Sequence, residues 1–390
     1  MEHKEQVRLL KQLMHQLDTD TNLDAGVMLE NPASAYTCPD IAAREREVFF
    51  RGSPQAIGMS GDLPEKGSFL TRDDFGMKIL ATRDKDGRFR AFLNACRHRG
   101  AQVEQEERGE RKRFMCPFHA WTYSSEGELV GLPKPEHFGE IDRSCHGLIE
   151  LPAVEASGVL LVHPDPAGVI ETERVMEGLA PDFDSWNLAD YVYVGSDRYA
   201  CEMNWKLAID TFGETYHFNS LHKDTLATVF YGNAQCFDSW ERNHRMILCV
   251  QEIDALRGLP ESDWNVRVGG FPVYYLFPNV IFNVGRDSVT VVRVYPDPDD
   301  VGRSVSEVSS YYDREALANP APDAPPPAEF FKIFSEIIRD EDYVAAAMAQ
   351  RSAESGLQDR FLFGRNEPTL HHYHDTYRKV LGMPPLERVA

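Results

Sequence analysis

Residues 94–101 read NACRHRGA, and residues 116–123 read CPFHAWTY. Each stretch offers one cysteine and one histidine to a metal. Two cysteines and two histidines also bind structural zinc, but zinc-finger spacing places a cysteine pair before a histidine pair. Here cysteine and histidine alternate, which favours two irons, one bound by thiolates and the other by imidazoles. The four candidate ligands are Cys96, His98, Cys116 and His119.

This ligand set defines a Rieske [2Fe–2S] centre, in which histidine replaces cysteine on one of the two irons. The sequence therefore predicts a redox protein that carries electrons on this cluster. Beyond the ligands, both stretches resemble the cluster loops of the Rieske oxygenases. Rieske proteins of the respiratory type carry an additional cysteine in each loop, whereas Pro117 directly follows Cys116 in this chain.

Length and charge limit the classes of function. The 390 residues suit about two to three domains, and 62 acidic against 41 basic residues give a net charge of −21. This charge argues against binding of nucleic acid or of an anionic membrane, and suits a partner protein with a basic patch. The sequence has no apolar run of membrane-spanning length, and because its first residues are charged we expect no signal peptide. Of the seven cysteines, those outside the cluster loops have no regular spacing, so we expect reduced thiols and a cytoplasmic protein.

Three regions follow from the sequence pattern. Residues 1–45 contain an amphipathic helix, predicted over residues 1–24, which we expect to pack on the catalytic domain. Residues 46–160 consist of short strands and turns, with both metal-binding stretches in loops at the tips of a small β domain. Residues 161–390 combine helices with strands. The expected fold class is α+β, with a small all-β Rieske domain and a larger catalytic domain whose antiparallel sheet is flanked by helices.

Individual elements can also be predicted. Two helices are expected over residues 205–221 and 330–350, and the Pro/Ala-rich residues 319–327 are expected to form a loop. Runs of β-branched and aromatic residues indicate two hairpins and a sheet. The predicted hairpin strands are residues 77–81 with 89–93 and residues 121–123 with 128–130, and the predicted sheet strands are residues 245–251, 273–277, 280–284 and 288–294.

A second metal site is predicted downstream of the cluster loops. Residues 204–222 read NWKLAIDTFGETYHFNSLH, and they place His217 and His222 five residues apart near the end of the predicted helix. Alone, such a pair is more often two ordinary helix histidines. With a third, carboxylate ligand, it forms the facial triad that binds non-haem Fe(II) and leaves positions open for O2 and substrate. The stretch resembles the mononuclear-iron motif of the Rieske oxygenase α subunits.

The resemblance also implies the third iron ligand. Residues 341–350 resemble the family's helix that runs from Glu-Asp to Gln, whose aspartate binds iron. This match selects Asp342, with Asp340 as the alternative if the register slips. The other interpretation of these acids is a solvated helix face.

An acid in the histidine motif is a candidate bridge between subunits. In the family, a carboxylate three residues before the first iron-binding histidine links that site to a cluster histidine of the neighbouring subunit. The resemblance thus assigns Glu214 as an inter-subunit electron bridge to His119, and Asp210 is a further catalytic candidate. Glutamate at this position resembles the branch that oxidises quaternary ammonium compounds such as choline and carnitine. That branch has Glu-Asn-Phe where residues 210–212 of this chain read DTF.

Other residues have alternative interpretations. His371, His372 and His374 are predicted to lie on a solvent-exposed helix face. No Gly-x-Gly-x-x-Gly motif is present, so we expect no flavin or nicotinamide site, and electrons must come from another protein. Six aromatic residues are candidates either for an apolar substrate pocket or for the core: Trp264, Phe271, Tyr274, Tyr275, Phe277 and Phe282.

The combined motifs imply the terminal oxygenase of a Rieske system. We expect a [2Fe–2S] cluster, mononuclear Fe(II), O2 and a small organic substrate. The expected electron donor is an NAD(P)H-linked reductase, with or without a ferredoxin, and the chain length fits the homotrimeric branch. Three functions are open at this point. The first is mono- or dioxygenation of an aromatic or other small organic substrate. The second is oxidative N- or O-demethylation, or hydroxylation of a quaternary amine. The third is a non-enzymatic role, as a Rieske electron carrier or as a binding module stabilised by zinc.

Overall fold

The computed structural model describes residues 1–74, 76–320 and 325–389. Part of the loop predicted at residues 319–327 therefore lies outside the described residues. The chain divides into two compact units. The smaller unit consists of Arg46–Val175 and Asn187–Val192, and the larger unit consists of Met1–Glu45, Met176–Trp186 and Tyr193–Ala390.

The smaller unit is built from short strands in one five-stranded and two three-stranded sheets. Both predicted hairpins are confirmed, because Ile79–Arg83 pairs antiparallel with Phe89–Leu93 and Thr122–Ser124 pairs antiparallel with Leu129–Gly131. In order across each sheet, the strands are Glu150–Leu151, Phe89–Leu93, Ile79–Arg83, Ser68–Arg72 and Arg108–Glu110; Ala153–Ala156, Val159–Val162 and Gln55–Met59; and Arg113–Met115, Thr122–Ser124 and Leu129–Gly131.

The smaller unit continues beyond residue 160, where we expected the Rieske domain to end. The reason is that Val159–Val162 is the middle strand of a three-stranded sheet. The chain that leaves this strand stays attached, since the backbone N–H of His163 donates to the carbonyl oxygen of Pro152 at 2.9 Å. Strand pairing and this contact tie the following residues to the unit, which extends to Val175.

The larger unit centres on a seven-stranded sheet. The four predicted sheet strands are confirmed and are neighbours in it, paired antiparallel. The predicted α+β class is confirmed, because a small unit of short strands is joined to a larger unit with an antiparallel sheet and helices. In order across the sheet, the strands are Val192–Cys201, Ser304–Tyr312, Ser288–Pro296, Val280–Val284, Gly270–Leu276, His244–Val250 and Phe230–Ser239.

Residues 1–45 contribute three helices and a strand to the larger unit. The helix His3–Thr19 buries one apolar face, and the side-chain amide of Gln16 donates to the carbonyl oxygen of Gln235 at 2.9 Å. A separate three-stranded sheet has Met28–Pro32 at its centre, between Arg360–Phe363 and Glu387–Val389. These contacts attach the first residues of the chain to distant parts of the same unit.

The α-helices of the described residues are mostly short. None of them combines the length and the apolar character needed to cross a membrane. They are His3–Thr19, Ser34–Thr37, Pro39–Glu45, Thr172–Val175, Ala180–Ser185, Trp205–Asp210, Phe218–Leu221, Ile253–Leu256, Val266–Gly269, Arg314–Ala318, Pro327–Ile337, Tyr343–Glu354 and Pro368–Val380.

The helix predicted over residues 205–221 is wrong as a continuous element. The structure has Trp205–Asp210 and Phe218–Leu221 with an irregular segment between them. A Cβ atom on Gly213 would lie 2.4 Å from the side chain of Leu370. The backbone therefore passes so close to a distant part of the chain that a side chain at residue 213 would require Leu370 to move.

The carboxylate of Glu214 organises the chain after this glycine. It accepts hydrogen bonds from the backbone N–H groups of Tyr216 and His217, the second at 3.1 Å. These bonds occupy donors that a continuous helix would pair with its own carbonyl groups. The segment consequently turns before it enters the next short helix.

The long helix predicted over residues 330–350 is confirmed, with a local change of winding. Pro327–Ile337 and Tyr343–Glu354 are α-helical, and Ile338–Asp342 between them forms a π-helical turn. Such turns are frequent at functional sites. Asp342, the last residue of this turn, is buried.

Candidate functional site

The two metal-binding loops of the smaller unit share one backbone pattern. In each loop the N–H of the cysteine, Cys96 or Cys116, donates at 2.8 Å to the carbonyl oxygen five residues later. The cysteine's own carbonyl oxygen accepts from the N–H four residues later, at Gly100 or Ala120. These two residues have φ angles of 77° and 57°, in the left-handed region. Each loop thus curls around its cysteine.

Both cysteines are buried in the hydrophobic core of the smaller unit. The hydroxyl of Tyr123 lies 3.3 Å from the Sγ atom of Cys96. The same hydroxyl oxygen accepts a hydrogen bond from the backbone N–H of Arg97 at 2.9 Å. Its proton is therefore available to the sulfur, and Tyr123 can donate a hydrogen bond to Cys96.

The histidines of the two loops lie next to each other and are half-buried. The ring centroids of His98 and His119 are 4.5 Å apart, and the His98 ring stacks on Trp121 at 5.1 Å. The Nδ1 atom of His98 is buried and has no hydrogen-bond partner among the described residues. A buried imidazole nitrogen without such a partner fits a metal ligand. The four residues therefore fit a [2Fe–2S] cluster, which supplies one-electron transfer when bound.

In the larger unit, three predicted ligands come together. His217, His222 and Asp342 each offer a ligand atom, and these atoms all lie within 4.8 Å of one another. The Nε2 atom of His222 is 3.2 Å, and the Nε2 atom of His217 is 3.4 Å, from the same Oδ1 atom of Asp342. No other such group of three is found among the described residues. Two imidazoles and one carboxylate in this arrangement fit the facial triad for non-haem Fe(II), which supplies O2 activation when bound.

The interruption of the predicted helix produces this geometry. His217 directly precedes the short helix Phe218–Leu221, and His222 directly follows it. The two imidazole centroids are 5.0 Å apart. The π-helical turn Ile338–Asp342 brings the carboxylate to them from a distant part of the chain.

Two further carboxylates hold the outer nitrogen atoms of the histidines. The Nδ1 atom of His217 lies 2.5 Å from Oε1 of Glu214, and the Nδ1 atom of His222 lies 2.6 Å from Oε2 of Glu341. The hydroxyl of Thr225 donates to the same oxygen of Glu341 at 2.9 Å. When each Nδ1 donates to a carboxylate, each Nε2 is free to bind a metal.

The charges around the triad suit a bound cation. Burial alone would lower the pKa of His217, but hydrogen bonds to Asp342 and Glu214 raise this pKa to about 9. Burial would also lower the pKa of His222, but hydrogen bonds to Asp342 and Glu341 outweigh this effect and raise the pKa. Although burial acts in the other direction, the two histidines lower the pKa of Asp342. The carboxylates thus stabilise positive charge on the two histidines. A divalent metal bound at the same place would supply that positive charge instead.

A cavity lies beside the triad. Five phenylalanines form part of its wall. The described residues that line the cavity include no lysine and no arginine. The sheet contributes Phe230, Leu248, Phe271, Val273 and Asn283, and the helical segments contribute most of the rest. Besides the triad and Glu214, the lining residues are Thr211, Phe212, Phe218, Leu226, Phe230, Leu248, Phe271, Val273, Asn283, Phe334, Ile337 and Ile338.

Two other predicted acids lie apart from the triad. The exposed side chain of Asp340 forms an ion pair with Arg339 at 2.6 Å, so the structure brings Asp342 rather than Asp340 to the histidines. The carboxylate of Asp210 accepts a hydrogen bond from the hydroxyl of Tyr36 at 2.7 Å and lies 2.8 Å from the Nε2 atom of His374. Asp210 is thus part of a hydrogen-bond network that does not line the cavity.

The prediction that the three late histidines lie on an exposed face is wrong. The helix Pro368–Val380 turns His371 and His374 inward, and they are 8% and 2% exposed. The half-buried His372 has its Nδ1 atom 3.3 Å from Nδ1 of His244 on the sheet. Packing of this helix within the larger unit, which its own sequence does not reveal, buries the histidines.

Sequence reasoning found some of the cavity residues and missed others. Of the six aromatic candidates, Phe271 lines the cavity, and the other five are buried elsewhere. Glu341 had been noted as part of a helix pattern without a role of its own. Asn283 was missed, although an amide within the apolar run VIFNV at residues 280–284 was a signal.

Comparisons with known proteins agree with this geometry. Residues 53–151 match the Rieske [2Fe-2S] domain, and residues 188–383 match the ring hydroxylating alpha subunit (catalytic domain). The carnitine monooxygenase oxygenase subunit of Acinetobacter baumannii is 25% identical over 333 residues, which are 83% of this chain and 85% of that protein.

Two solved structures share the fold. A quaternary ammonium Rieske monooxygenase in complex with L-carnitine has a TM-score of 0.75 and 20% identity, over 90% of this chain and 96% of that one. Naphthalene 1,2-dioxygenase from Rhodococcus sp., bound to indole, has a TM-score of 0.71 and 18% identity, over 96% of this chain and 98% of that one.

The fold and the two metal sites define an oxidoreductase that combines a Rieske cluster with mononuclear iron. The chain belongs to the ring hydroxylating alpha subunit family and carries a Rieske [2Fe-2S] domain. It is the terminal oxygenase subunit of a Rieske system, which depends on electron-transfer partners, O2 and a small substrate. This membership excludes the zinc-stapled module and the non-enzymatic electron carrier that the sequence had left open.

Proposed function

We propose that this oxygenase acts on an uncharged and largely apolar ring substrate. The observation that carries the proposal is the cavity beside His217, His222 and Asp342, which is lined by five phenylalanines and by aliphatic side chains. Aromatic and aliphatic walls favour burial of a ring of similar character. Mono- and dioxygenation are both compatible with such a cavity.

The charges of the lining argue against a carboxylate substrate. L-Carnitine, which is bound in one of the related structures, carries both a carboxylate and a trimethylammonium group. A buried carboxylate is costly unless a cationic or hydrogen-bonding partner compensates it. The described residues that line this cavity include no lysine or arginine, and Glu214 and Asp342 add negative charge. These features favour a neutral substrate.

Seven residues are proposed as metal ligands. Cys96 and Cys116 would hold one iron of the cluster, and His98 and His119 the other. Mononuclear iron would be held by His217, His222 and Asp342, with the Nδ1 atoms of the histidines held by carboxylates. The orphaned Nδ1 atom of His98 and the common contact of both Nε2 atoms with Asp342 support this assignment.

Glu214 is proposed to connect the two metal sites of neighbouring subunits. Its side chain is bonded to His217 and is still 14% exposed, which supports a position within reach of a partner. In a homotrimeric ring closed by head-to-tail contacts, His119 of the next subunit would be that partner. A reductase, with or without a ferredoxin, would reduce the cluster. All seven cysteines are free, which suits the expected cytoplasmic location.

A second candidate function is oxidation of a quaternary amine. It is favoured by the relative named a carnitine monooxygenase oxygenase subunit. Phenylalanine rings could surround a trimethylammonium group through cation–π contacts. A quaternary amine without a carboxylate, such as choline, would fit this cavity better than L-carnitine.

One assay separates the two candidates. The holoenzyme, supplied with a surrogate reductase and NADH, is offered naphthalene, indole, choline and L-carnitine, and product is measured together with O2 uptake. We expect product from the two ring compounds and none from L-carnitine. Product from L-carnitine or choline, without any from the rings, would refute the proposed substrate class.

A further inference from the structure

The cavity beside the iron triad holds few polar groups. Apart from the triad and Glu214, its lining side chains are apolar except for Thr211 and Asn283. The hydroxyl of Thr211 is already used, since it donates to the carbonyl oxygen of Ala208 at 2.9 Å. Asn283 is therefore the neutral polar side chain in the lining that has hydrogen-bonding capacity to spare.

The carboxamide of Asn283 is poorly paired although it is 4% exposed. Its Nδ2 atom lies 3.5 Å from the carbonyl oxygen of Thr290, a long hydrogen bond. Among the described residues its Oδ1 atom has no hydrogen-bond partner, and the side chain borders the cavity. An amide oxygen accepts hydrogen bonds, so at the border of the cavity this atom can accept one from a ligand.

The position of Asn283 also suits a group that orients a ligand. It lies on Val280–Val284, the central strand of the seven-stranded sheet, and pairs across with Val273 and Thr290. Val273 and Phe271, on the neighbouring strand, border the cavity beside it. A side chain on a central strand is held more firmly than one on a loop, so the direction of its oxygen is well defined.

We propose that Asn283 is a specificity-determining residue that accepts a hydrogen bond from an N–H or O–H group on the ring substrate. The inference rests on the proposed function and narrows it to uncharged aromatic rings that carry one such donor. The donor would be fixed at Oδ1 of Asn283, and this contact would select which edge of the ring faces the triad. A carboxylate would be disfavoured at the same place, because it would meet an amide oxygen instead of a cation.

Indole and benzofuran test this inference as a matched pair. They have nearly the same shape, but the ring N–H of indole is replaced in benzofuran by an oxygen that only accepts. In the wild-type holoenzyme with a surrogate reductase, we expect kcat/KM for indole to exceed that for benzofuran by about tenfold, the usual effect of one hydrogen bond. Asn283→Leu should bring the ratio to about one and change the position of oxidation on indole.

A control variant separates hydrogen bonding from packing. Thr211→Val changes another polar lining residue of the same cavity, whose hydroxyl is internally paired, and should keep the preference for indole. The comparison of the two rings in the wild-type enzyme needs no variant, and Asn283→Val replaces Asn283→Leu if the leucine variant does not fold. Equal kcat/KM for the two rings in the wild type, or an unchanged ratio in the Asn283 variant, would overturn the inference.

The outcomes also distinguish this inference from the proposed function. If naphthalene, benzofuran and indole are oxidised equally well, the ring substrate class stands and the role of Asn283 is refuted. If none of the rings is oxidised and choline or L-carnitine is, the proposed function is refuted, and the inference falls with it.

Discussion

The Nδ1 atom of His222 lies 2.6 Å from the Oε2 atom of Glu341, the residue that directly precedes Asp342. One π-helical turn thus supplies both the carboxylate of the triad and the carboxylate that orients a triad histidine. Glu214 holds His217 in the same way, at 2.5 Å. Both proposed histidine ligands therefore present Nε2 to the metal because a glutamate holds Nδ1.

Replacing Glu341 should weaken binding of mononuclear iron. Glu341→Gln keeps the size of the side chain and removes its charge, so the Nδ1 atom of His222 loses its carboxylate acceptor. We expect the affinity for mononuclear Fe(II) to fall about 10- to 100-fold while the visible spectrum of the cluster is unchanged. Titration of Fe(II) into protein whose mononuclear site has been depleted of metal measures this affinity. Glu336→Gln, a half-exposed acid on the same helical segment, is the control and should retain wild-type affinity.

Asp342 and Asp340 make a second matched pair. Asp342→Asn removes the carboxylate that faces both histidines and should lower iron from about three to about two per chain, with product formation lost. Asp340→Asn changes an exposed acid paired with Arg339 and should keep both. Iron analysis and the oxygenase assay decide between them. Loss of iron in the Asp340 variant, with full iron in the Asp342 variant, would contradict the ligand assignment.

Removing the hydroxyl of Tyr123 should lower the reduction potential of the cluster. The hydroxyl lies 3.3 Å from the Sγ atom of Cys96, and hydrogen bonds to cluster sulfurs stabilise the reduced, more negative state. Tyr123→Phe should shift the potential downwards by tens of millivolts with the cluster retained. Protein-film voltammetry measures the shift, and an unchanged potential would mean that this hydroxyl does not donate to the sulfur.

The cluster loops and the histidine pair could be predicted because each is contained in a short stretch of sequence. Cys96 and His98 are two residues apart, and the loop closes on itself through local backbone bonds. His217 and His222 were also found, but the interruption of their helix was not. At the interruption, Gly213 lies close to Leu370, a contact with a remote position that a local pattern does not reveal.

Residues whose roles depend on distant contacts were the ones missed. Glu341 and His222 are 119 positions apart in the chain, and neither stretch indicates the other. His371 and His374 form a polar run that resembles a solvated face, yet tertiary packing buries them. Asp342 was selected through resemblance to a family pattern, since the acids around it look alike in sequence.

Glu214→Gln tests the proposed bridge between subunits. Its carboxylate is bonded to the Nδ1 atom of His217 and to two backbone N–H groups, and glutamine can keep part of this arrangement. We expect both metals and the oligomeric state to be retained while oxidation of the prereduced cluster by O2 and substrate becomes much slower. Stopped-flow absorbance of the cluster follows the reaction. A near-normal single-turnover rate, or a fully active monomer by light scattering, would refute the bridge.

The buried His244, which contacts His372, predicts how stability depends on pH. Burial, with a smaller contribution from His372, lowers the pKa of His244 well below its ordinary value of 6.5. As the pH falls through about 6.5, His244 is protonated in the unfolded chain but stays neutral in the folded chain. The contribution of His244 to stability is therefore fully present above this pH and is lost as the pH falls below it. The loss approaches about 1.4 kcal/mol per pH unit for one such group.

His244→Phe should remove this contribution. Phenylalanine keeps the stacked contact with Tyr275, whose ring centroid is 4.6 Å from that of His244, and it does not titrate. We expect the urea midpoint of the variant to fall less steeply between pH 7.5 and pH 5.5 than that of the wild type, because one proton-linked penalty is absent. His15→Gln, at an exposed position of the first helix, should leave the wild-type slope unchanged. Equal slopes in the wild type and in His244→Phe would show that His244 is not kept neutral by the fold.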